Sequence, residues 1–437
     1  MRRQLLGVIL IGLVWSTSQR AESVDPTDLA GDWVIMALDQ FGEISYHRMT
    51  LQAEGDHVSV DLVSDELKLE GTIRDGKVEL QSSGKDRPPS SMTGMVEKGE
   101  MSGDFMQGGM KWKWKATRVP VRPANAPREH AFEPKEFHRL FSGAIEPVLH
   151  VYPGDTVKTW SVDAGGVDAK GVRRSLGGNP QTGPFYVEGA LPGDTLVVKL
   201  TRIRLNRDTA ISSGSIAPAA ITPGYLQDRK PVENYNSDWV LDRAKGVARL
   251  AKPTERLKNY TVSLRPMLGC VGVAPPRNMA FRSGYPGSFG GNMDYNRIRE
   301  GVTLYLPVYQ MGALLFMGDG HAAQGDGELT GNALETSMDI EFAVDVIPGK
   351  SFAMPRAEDD EYLMAMGIAG SLGEAFQIAT SEMARWLEDT YQLNSAEVAS
   401  VGGTAMQYDI AEVVDPYVNV VAKVAKKALA TIPKPGP

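Results

Sequence analysis

Hydrophobic and polar positions alternate with period two in short runs between residues 32 and 117, and turn residues separate the runs. The runs are Asp32 to Ala37, Ile44 to Thr50, His57 to Val63, Leu67 to Ile73, Lys77 to Ser82, Ser91 to Val96, Met101 to Phe105 and Met110 to Thr117. Alternation of this kind places every second side chain on one face of a strand, so eight strands are predicted. Asp75-Gly76 and Gln107-Gly108-Gly109 read as hairpin turns, because a tight corner needs positive φ, which glycine adopts freely and aspartate tolerates. The predicted product is a small antiparallel β barrel or sandwich over residues 28–118. In Lys111-Trp112-Lys113-Trp114-Lys115 both indoles share one face, and they are read as core residues in preference to a platform for stacking a ligand.

The pattern breaks at residues 119–140, where four prolines and mixed charges carry no apolar period, and this stretch is predicted to be a linker. From residue 141 to 437 the chain changes character and reads as a second unit with a helical C-terminal part. Pro153-Gly154-Asp155 and Pro192-Gly193-Asp194 each feed a strand, and their aspartates are read as turn residues. Ser371-Leu-Gly-Glu374 is a capping box. Phe376, Ala379, Met383, Trp386 and Leu387 follow at helical spacing, a second helix is predicted from Asn394 or Ser395, and Met406 to Val414 reads as extended.

The N-terminus combines Arg2-Arg3 with an apolar run from Leu5 to Trp15, too short for a stable membrane span, so residues 1–22 are predicted to be an export signal. A periplasmic or extracellular location is expected, with no stable membrane insertion once the signal is cleaved and an uncleaved anchor as the alternative. The single cysteine, Cys270, excludes an internal disulfide, and its apolar surroundings argue for a packed small hydrophobe over a nucleophile. A net charge of -8 over 437 residues argues against a nucleic-acid partner, which would need a basic face.

The most chemically dense stretch runs from Gly312 to Gly331, where Asp319, His321, Asp326 and Glu328 stand among glycines directly after an apolar run. Glycines let the backbone fold tightly enough for such groups to converge on a metal or a proton path. Asp319 and His321 are candidate metal ligands. Asp163, at the end of the strand Val157 to Val162, is a third, with a turn-capping role as the alternative. Glu188, after Phe185-Tyr-Val, is either a general acid or base or a buried structural acid. Asp294 and Glu328 are the other catalytic candidates. Gly290, Gly291 and Asn292 are candidate substrate-binding residues, because glycines allow backbone amides to approach an oxyanion, with a plain turn as the alternative.

Four ordered blocks carry a resemblance. They are Asn179-Pro-Gln-Thr-Gly-Pro-Phe-Tyr-Val-Glu-Gly-Ala-Leu-Pro-Gly-Asp194, Pro266-Met-Leu-Gly-Cys-Val-Gly-Val-Ala-Pro275, Gly290-Gly-Asn-Met-Asp294, and Gly301-Val-Thr-Leu-Tyr-Leu-Pro-Val308 running into the glycine-rich stretch. Over residues 145–432 the chain resembles the acetamidase/formamidase family. The resemblance implies a mainly β fold with a helical C-terminal part (α+β), a β-sandwich catalytic domain, and hydrolysis of a small carboxamide to a carboxylate and ammonia. It also implies a divalent metal, with zinc favoured and calcium compatible. It leads to the expectation of a histidine where this chain has Phe289, so an exported binding protein that keeps the fold and an ion site is the rival reading. The partners expected are a small-molecule amide and, if the chain assembles, further copies of itself as a homo-oligomer.

Overall fold

The computed structural model describes residues 25–62, 67–82, 88–125, 127–230, 232, 235–277 and 279–434; the predicted export signal lies outside them. The chain divides into two compact units between Val119 and Pro120.

In the first unit, β1 (Gly31–Asp39), β2 (Ile44–Glu54), β3 (His57–Leu62), β4 (Leu67–Arg74), β5 (Lys77–Ser82), β6 (Ser90–Glu97), β7 (Glu100–Gln107) and β8 (Met110–Arg118) each pair with the next. The last strand closes on the first, so the eight predicted strands form a barrel with no free edge. The corners carry the backbone the turn residues promised, with φ of 48° and 72° at Asp75-Gly76 and of 56° and 84° at Gly108-Gly109. Gly94 faces Gly103 across β6 and β7, and a Cβ on Gly94 would lie 2.9 Å from the Trp114 ring. The glycine therefore makes room for the indole, whose Nε1 donates to the Thr93 carbonyl.

A 3-10 turn, Pro26–Leu29, covers one end of the barrel. Asp25 caps it, and Trp33 Nε1 donates to the Leu29 carbonyl at 2.9 Å. The Arg118 guanidinium lies over the Trp33 ring and donates to the Asp28 carbonyl. Below this level the barrel is dry: Val58, Leu69, Ile73, Val96 and Ala116 have no exposed surface.

The second unit is built on an eleven-stranded and a nine-stranded sheet. Their side chains share one core, in which Phe185 of the first sheet meets Phe342 of the second at 5.2 Å between ring centres. The helix Leu372–Tyr391, capped by Ser371 as predicted, packs on the strands Tyr362–Ala369 and Val418–Ala425 of the nine-stranded sheet. It comes so close that a Cβ on Gly367 would lie 1.9 Å from the Ala375 carbonyl oxygen. Ala379, Met383, Trp386 and Leu387 are buried as expected, whereas Phe376 is 46% exposed and instead packs on the ring of Tyr408.

The predicted linker is partly structured. Glu129–Ala131 forms a strand parallel to Thr156–Ser161, and Asp155 accepts hydrogen bonds from Arg128 N, Tyr152 N and His130. The periodicity missed this strand because three residues are too few to show a period.

Candidate functional site

The strand Leu315–His321 runs through the middle of the eleven-stranded sheet and is buried along its whole length. Asp319 and His321, two residues apart, leave the strand on one face. The neighbouring strand Met267–Gly272 passes beside them with Gly269 opposite the pair. A Cβ on Gly269 would lie 2.4 Å from Asp294 Oδ1, 2.7 Å from Asp319 Oδ2 and 2.9 Å from His321 Cε1. The missing side chain is the space into which these three groups converge.

Two further acids complete the cluster. Glu335 lies directly across from His321 in the antiparallel pair, with Oε2 3.3 Å from Nε2. Glu328 comes from the following loop and lies with Asp294 and His321 in one group of close donor atoms, while Asp319, His321 and Glu335 form a second. Asp294, Asp319 and Glu328 have φ of 40°, 58° and 45°, an unusual backbone for residues other than glycine. Left-handed conformations at three acids in one site hold the carboxylates where relaxed strand geometry would not.

His321 has its ring set by Gln324. The Gln324 amide nitrogen donates to the carbonyls of Asp294 and Ala411, so its oxygen faces the ring and accepts from Nδ1 at 2.9 Å. That leaves Nε2 pointing at Asp319 Oδ1 (3.6 Å) and Glu335 Oε2. Asn292 holds the acids from the other side: its amide nitrogen donates to Asp294 and Asp415, and its oxygen accepts from Asn179, which also donates to Asp319.

The electrostatics of this arrangement are unfavourable for bare carboxylates. Burial, followed by repulsion from Glu328 and Asp319, pushes Asp294 well above the ordinary carboxylate range. Burial is likewise the first cause for Glu328, pushed up to about 9, and for Glu335, pushed up to about 7. Burial disfavours the His321 cation, but Glu335 and Asp319 outweigh it and hold the imidazole above its usual value. Asp294 Oδ1, Asp319 Oδ1, His321 Nε2 and Glu335 Oε2 are buried with no hydrogen-bond partner. These four unpartnered atoms, one imidazole nitrogen and three carboxylate oxygens, belong to two overlapping groups of a kind that can hold a metal ion.

A cavity of 230 Å³ reaches the cluster, lined by Asn179, Asn292, Asp319, Glu328, Glu335 and Asp415, among others, with Arg282 and Tyr285 also on its wall. A second cavity of 620 Å³ shares Glu328 and Asn332 with it and extends past Ser213 to Trp239 and Tyr260.

Of the residues singled out by sequence, Asp294, Asp319, His321, Glu328 and Asn292 come together here. Asp163 and Glu188 do not join them. Asp163 is paired with the Arg207 guanidinium at 2.5 Å and accepts from Val167 N, so it is a buried ion-pair and turn residue. Glu188 bonds His150 Nδ1 at 2.7 Å. Gly290 and Gly291, both at φ 85°, serve strand packing, since Cβ atoms there would lie 2.4 Å from the Val271 and Tyr285 carbonyl oxygens. Cys270 is fully buried, and its thiol donates to the Ser283 carbonyl. Phe289 is core: it stacks on Phe281 at 5.1 Å and touches Phe141, and its ring is not one of the groups around Gly269. Sequence reading missed Glu335, Gln324, Asn179 and Asp415; the visible signal for Glu335 was an acid inside the otherwise uncharged run Ala333 to Met338.

Comparison with known proteins agrees with this architecture. The model of the Acetamidase/Formamidase family matches residues 278–358, which include Asp294, Asp319, His321, Glu328 and Glu335. A formamidase of Methylophilus methylotrophus is 24% identical over 193 residues, 34% of this chain and 46% of that protein. An acetamidase of Mycolicibacterium smegmatis is 40% identical over 65 residues, 15% and 16% of the two chains. The chain thus spans less than half the length of either of these relatives. Among solved structures, a recombinant predicted acetamidase/formamidase from Thermoanaerobacter tengcongensis superposes with a TM-score of 0.59 at 28% identity, covering 70% of this chain and 98% of its own. An acetamidase from Yersinia enterocolitica gives 0.59 at 27%, covering 70% and 95%. Over these matches the chain is similar to members of the acetamidase/formamidase family.

Proposed function

We propose that this chain hydrolyses a small carboxamide to a carboxylate and ammonia at the cluster of Asp294, Asp319, His321, Glu328 and Glu335. The observation that carries the reading is the set of orphaned donor atoms around Gly269 at the foot of a cavity, in a chain similar to formamidases and acetamidases. Amide cleavage needs an activated water, a stabilised oxyanion and a proton for the leaving amine. The residues fit a divalent metal, zinc first and calcium second, held by His321 Nε2 with Asp319 and Glu335; Asp294 and Glu328 form the other candidate group with His321, Asp294 Oδ1 lying 3.9 Å from Nδ1. Such an ion, when bound, polarises a carbonyl and lowers the pKa of water towards about 7.

The chain's own groups supply the rest. Gln324 keeps the Nδ1 proton of His321 engaged and Nε2 turned inward, where a bound ion would replace the Nε2 proton. Glu328 faces both cavities and, when Asp319 and Glu335 hold the ion, is placed to pass a proton to the departing nitrogen. Asn292 and Asn179 hold the surrounding carboxylates in place. The adjoining 620 Å³ cavity offers room for a substrate larger than formamide. Residues 1–22 support an exported enzyme, periplasmic or extracellular.

The test is ammonia release from a panel of short amides, with zinc or calcium supplied and with the ion removed by chelator. Turnover that the chelator abolishes and the ion restores supports the reading. A folded, metal-loaded chain that releases no ammonia from any amide contradicts it.

A further inference from the structure

Among the described residues, the barrel interior is filled towards the Pro26–Leu29 turn and encloses a cavity towards the other end. Strand pairing puts Trp33 opposite Arg118 and Asp39 opposite Trp112, so the β1–β2 and β7–β8 hairpins lie at the end away from the Pro26–Leu29 turn. At that end the inward-facing side chains stop filling the interior. Phe105 and Trp112 pair across β7 and β8 with ring centres 5.6 Å apart, and both keep part of their surface accessible although they point inward. The space beside them is a cavity of 280 Å³, walled by these rings together with Trp114, Ile35, Leu62 and Met92.

The polar groups of this cavity are few. Ser45, His47 and Gln107 lie towards the hairpin end of their strands, and His47 Nε2 is 2.9 Å from Ser45 Oγ. Among the described residues, no aspartate, glutamate, lysine or arginine lines it. Water is a poor occupant for the aromatic part, because a buried water needs two to four polar partners. The volume exceeds the ~150 Å³ of an apolar protein cavity that accepts benzene. Eight-stranded barrels have an interior of the size that side chains either fill or leave free for one small molecule, and this one does the first below and the second above. Phe41, Ile44 and Met110 stand exposed on the same two hairpins.

We propose that the hairpin end of the barrel binds one small neutral amphiphile, with an aromatic or aliphatic body between Trp112, Trp114 and Phe105 and one hydrogen-bonding head at Ser45, His47 and Gln107. This site is separate from the amide site, so it stands or falls independently of the proposed hydrolysis.

The experiment uses the full chain and the neutral fluorescent probe N-phenyl-1-naphthylamine. The expected result is saturable binding of one probe per chain, with indole emission quenched as probe emission rises and with displacement by 1-octanol. Ala37→Phe, which adds a ring to the cavity wall, should weaken binding at least about tenfold, while Lys113→Ala on the outer face should leave it unchanged. If near-UV circular dichroism finds Ala37→Phe unfolded, Leu62→Trp takes its place and is read the same way. Absence of saturable binding, or binding that a folded filling variant does not weaken, overturns the proposal.

Discussion

Gln324 fixes the hydrogen-bonding state of His321: its amide oxygen accepts from Nδ1 at 2.9 Å because its nitrogen is already committed to the carbonyls of Asp294 and Ala411. A partner that orients an imidazole in this way commonly accounts for 10–100-fold in metal affinity or activity. Gln324→Leu should therefore lower both metal affinity and kcat by roughly 10–100-fold. Melting temperature should fall as well, because the His321 N–H and the Asp294 and Ala411 carbonyls lose their partner, and isothermal titration of the folded variant with zinc beside steady-state ammonia assays checks the effects on metal and turnover.

Gly269 is the position at which the site has no room for a side chain. Gly269→Ala places a methyl carbon within 2.4 Å of Asp294 Oδ1 and 2.7 Å of Asp319 Oδ2. Overpacking of this kind costs about 1–3 kcal/mol, and here it also pushes carboxylates out of the cluster. The variant should fold with a lowered denaturant midpoint and lose most of its metal binding, measured by equilibrium dialysis.

Asp163 and Arg207 form a pair in which both side chains are nearly inaccessible, 3% and 9% exposed. Removing one partner leaves an uncompensated buried charge, which typically costs about 3–5 kcal/mol. Arg207→Met should destabilise the chain by that order, while Asp163→Asn should leave the metal stoichiometry of the folded protein intact. Urea unfolding and metal analysis of the two variants separate a structural acid from a ligand.

Glu412 gives a pH signature. Burial first, then Asp415, pushes its carboxyl up to about 8 in the folded chain, above the ordinary value of 4.5. The folded state therefore keeps a proton that the unfolded state releases, so this group's contribution to stability falls as pH rises from about 4.5 and levels off near 8. Glu412→Gln should be more stable than the parent at pH 8–9 and little different at pH 4, as read from denaturant midpoints across pH.

The barrel was legible in the sequence because its determinants are local: period-two alternation and turn residues such as Asp75-Gly76 act within a few positions. Asp319 and His321 were legible for the same reason, sharing one strand face among glycines. Their companions were not. Glu335 reaches His321 through antiparallel pairing across a loop, and Asp415 reaches Asn292 across 123 positions. Asp163 and Glu188 were drawn into the site because their true partners, Arg207 and His150, lie 44 and 38 positions away, and no local pattern reveals an ion pair of that separation. Phe289, which stands where the resemblance implies a histidine, packs its ring in the aromatic core with Phe281 and Phe141.

The most direct measurement compares kcat/KM for ammonia release between the parent chain and Asp319→Asn, each confirmed as folded and supplied with metal. Loss of the charge that faces His321 Nε2 should reduce kcat/KM at least about a hundredfold, equivalent to about 2.7 kcal/mol of transition-state stabilisation. Unchanged turnover in the variant would mean that amide hydrolysis, if the chain performs it, takes place away from this cluster.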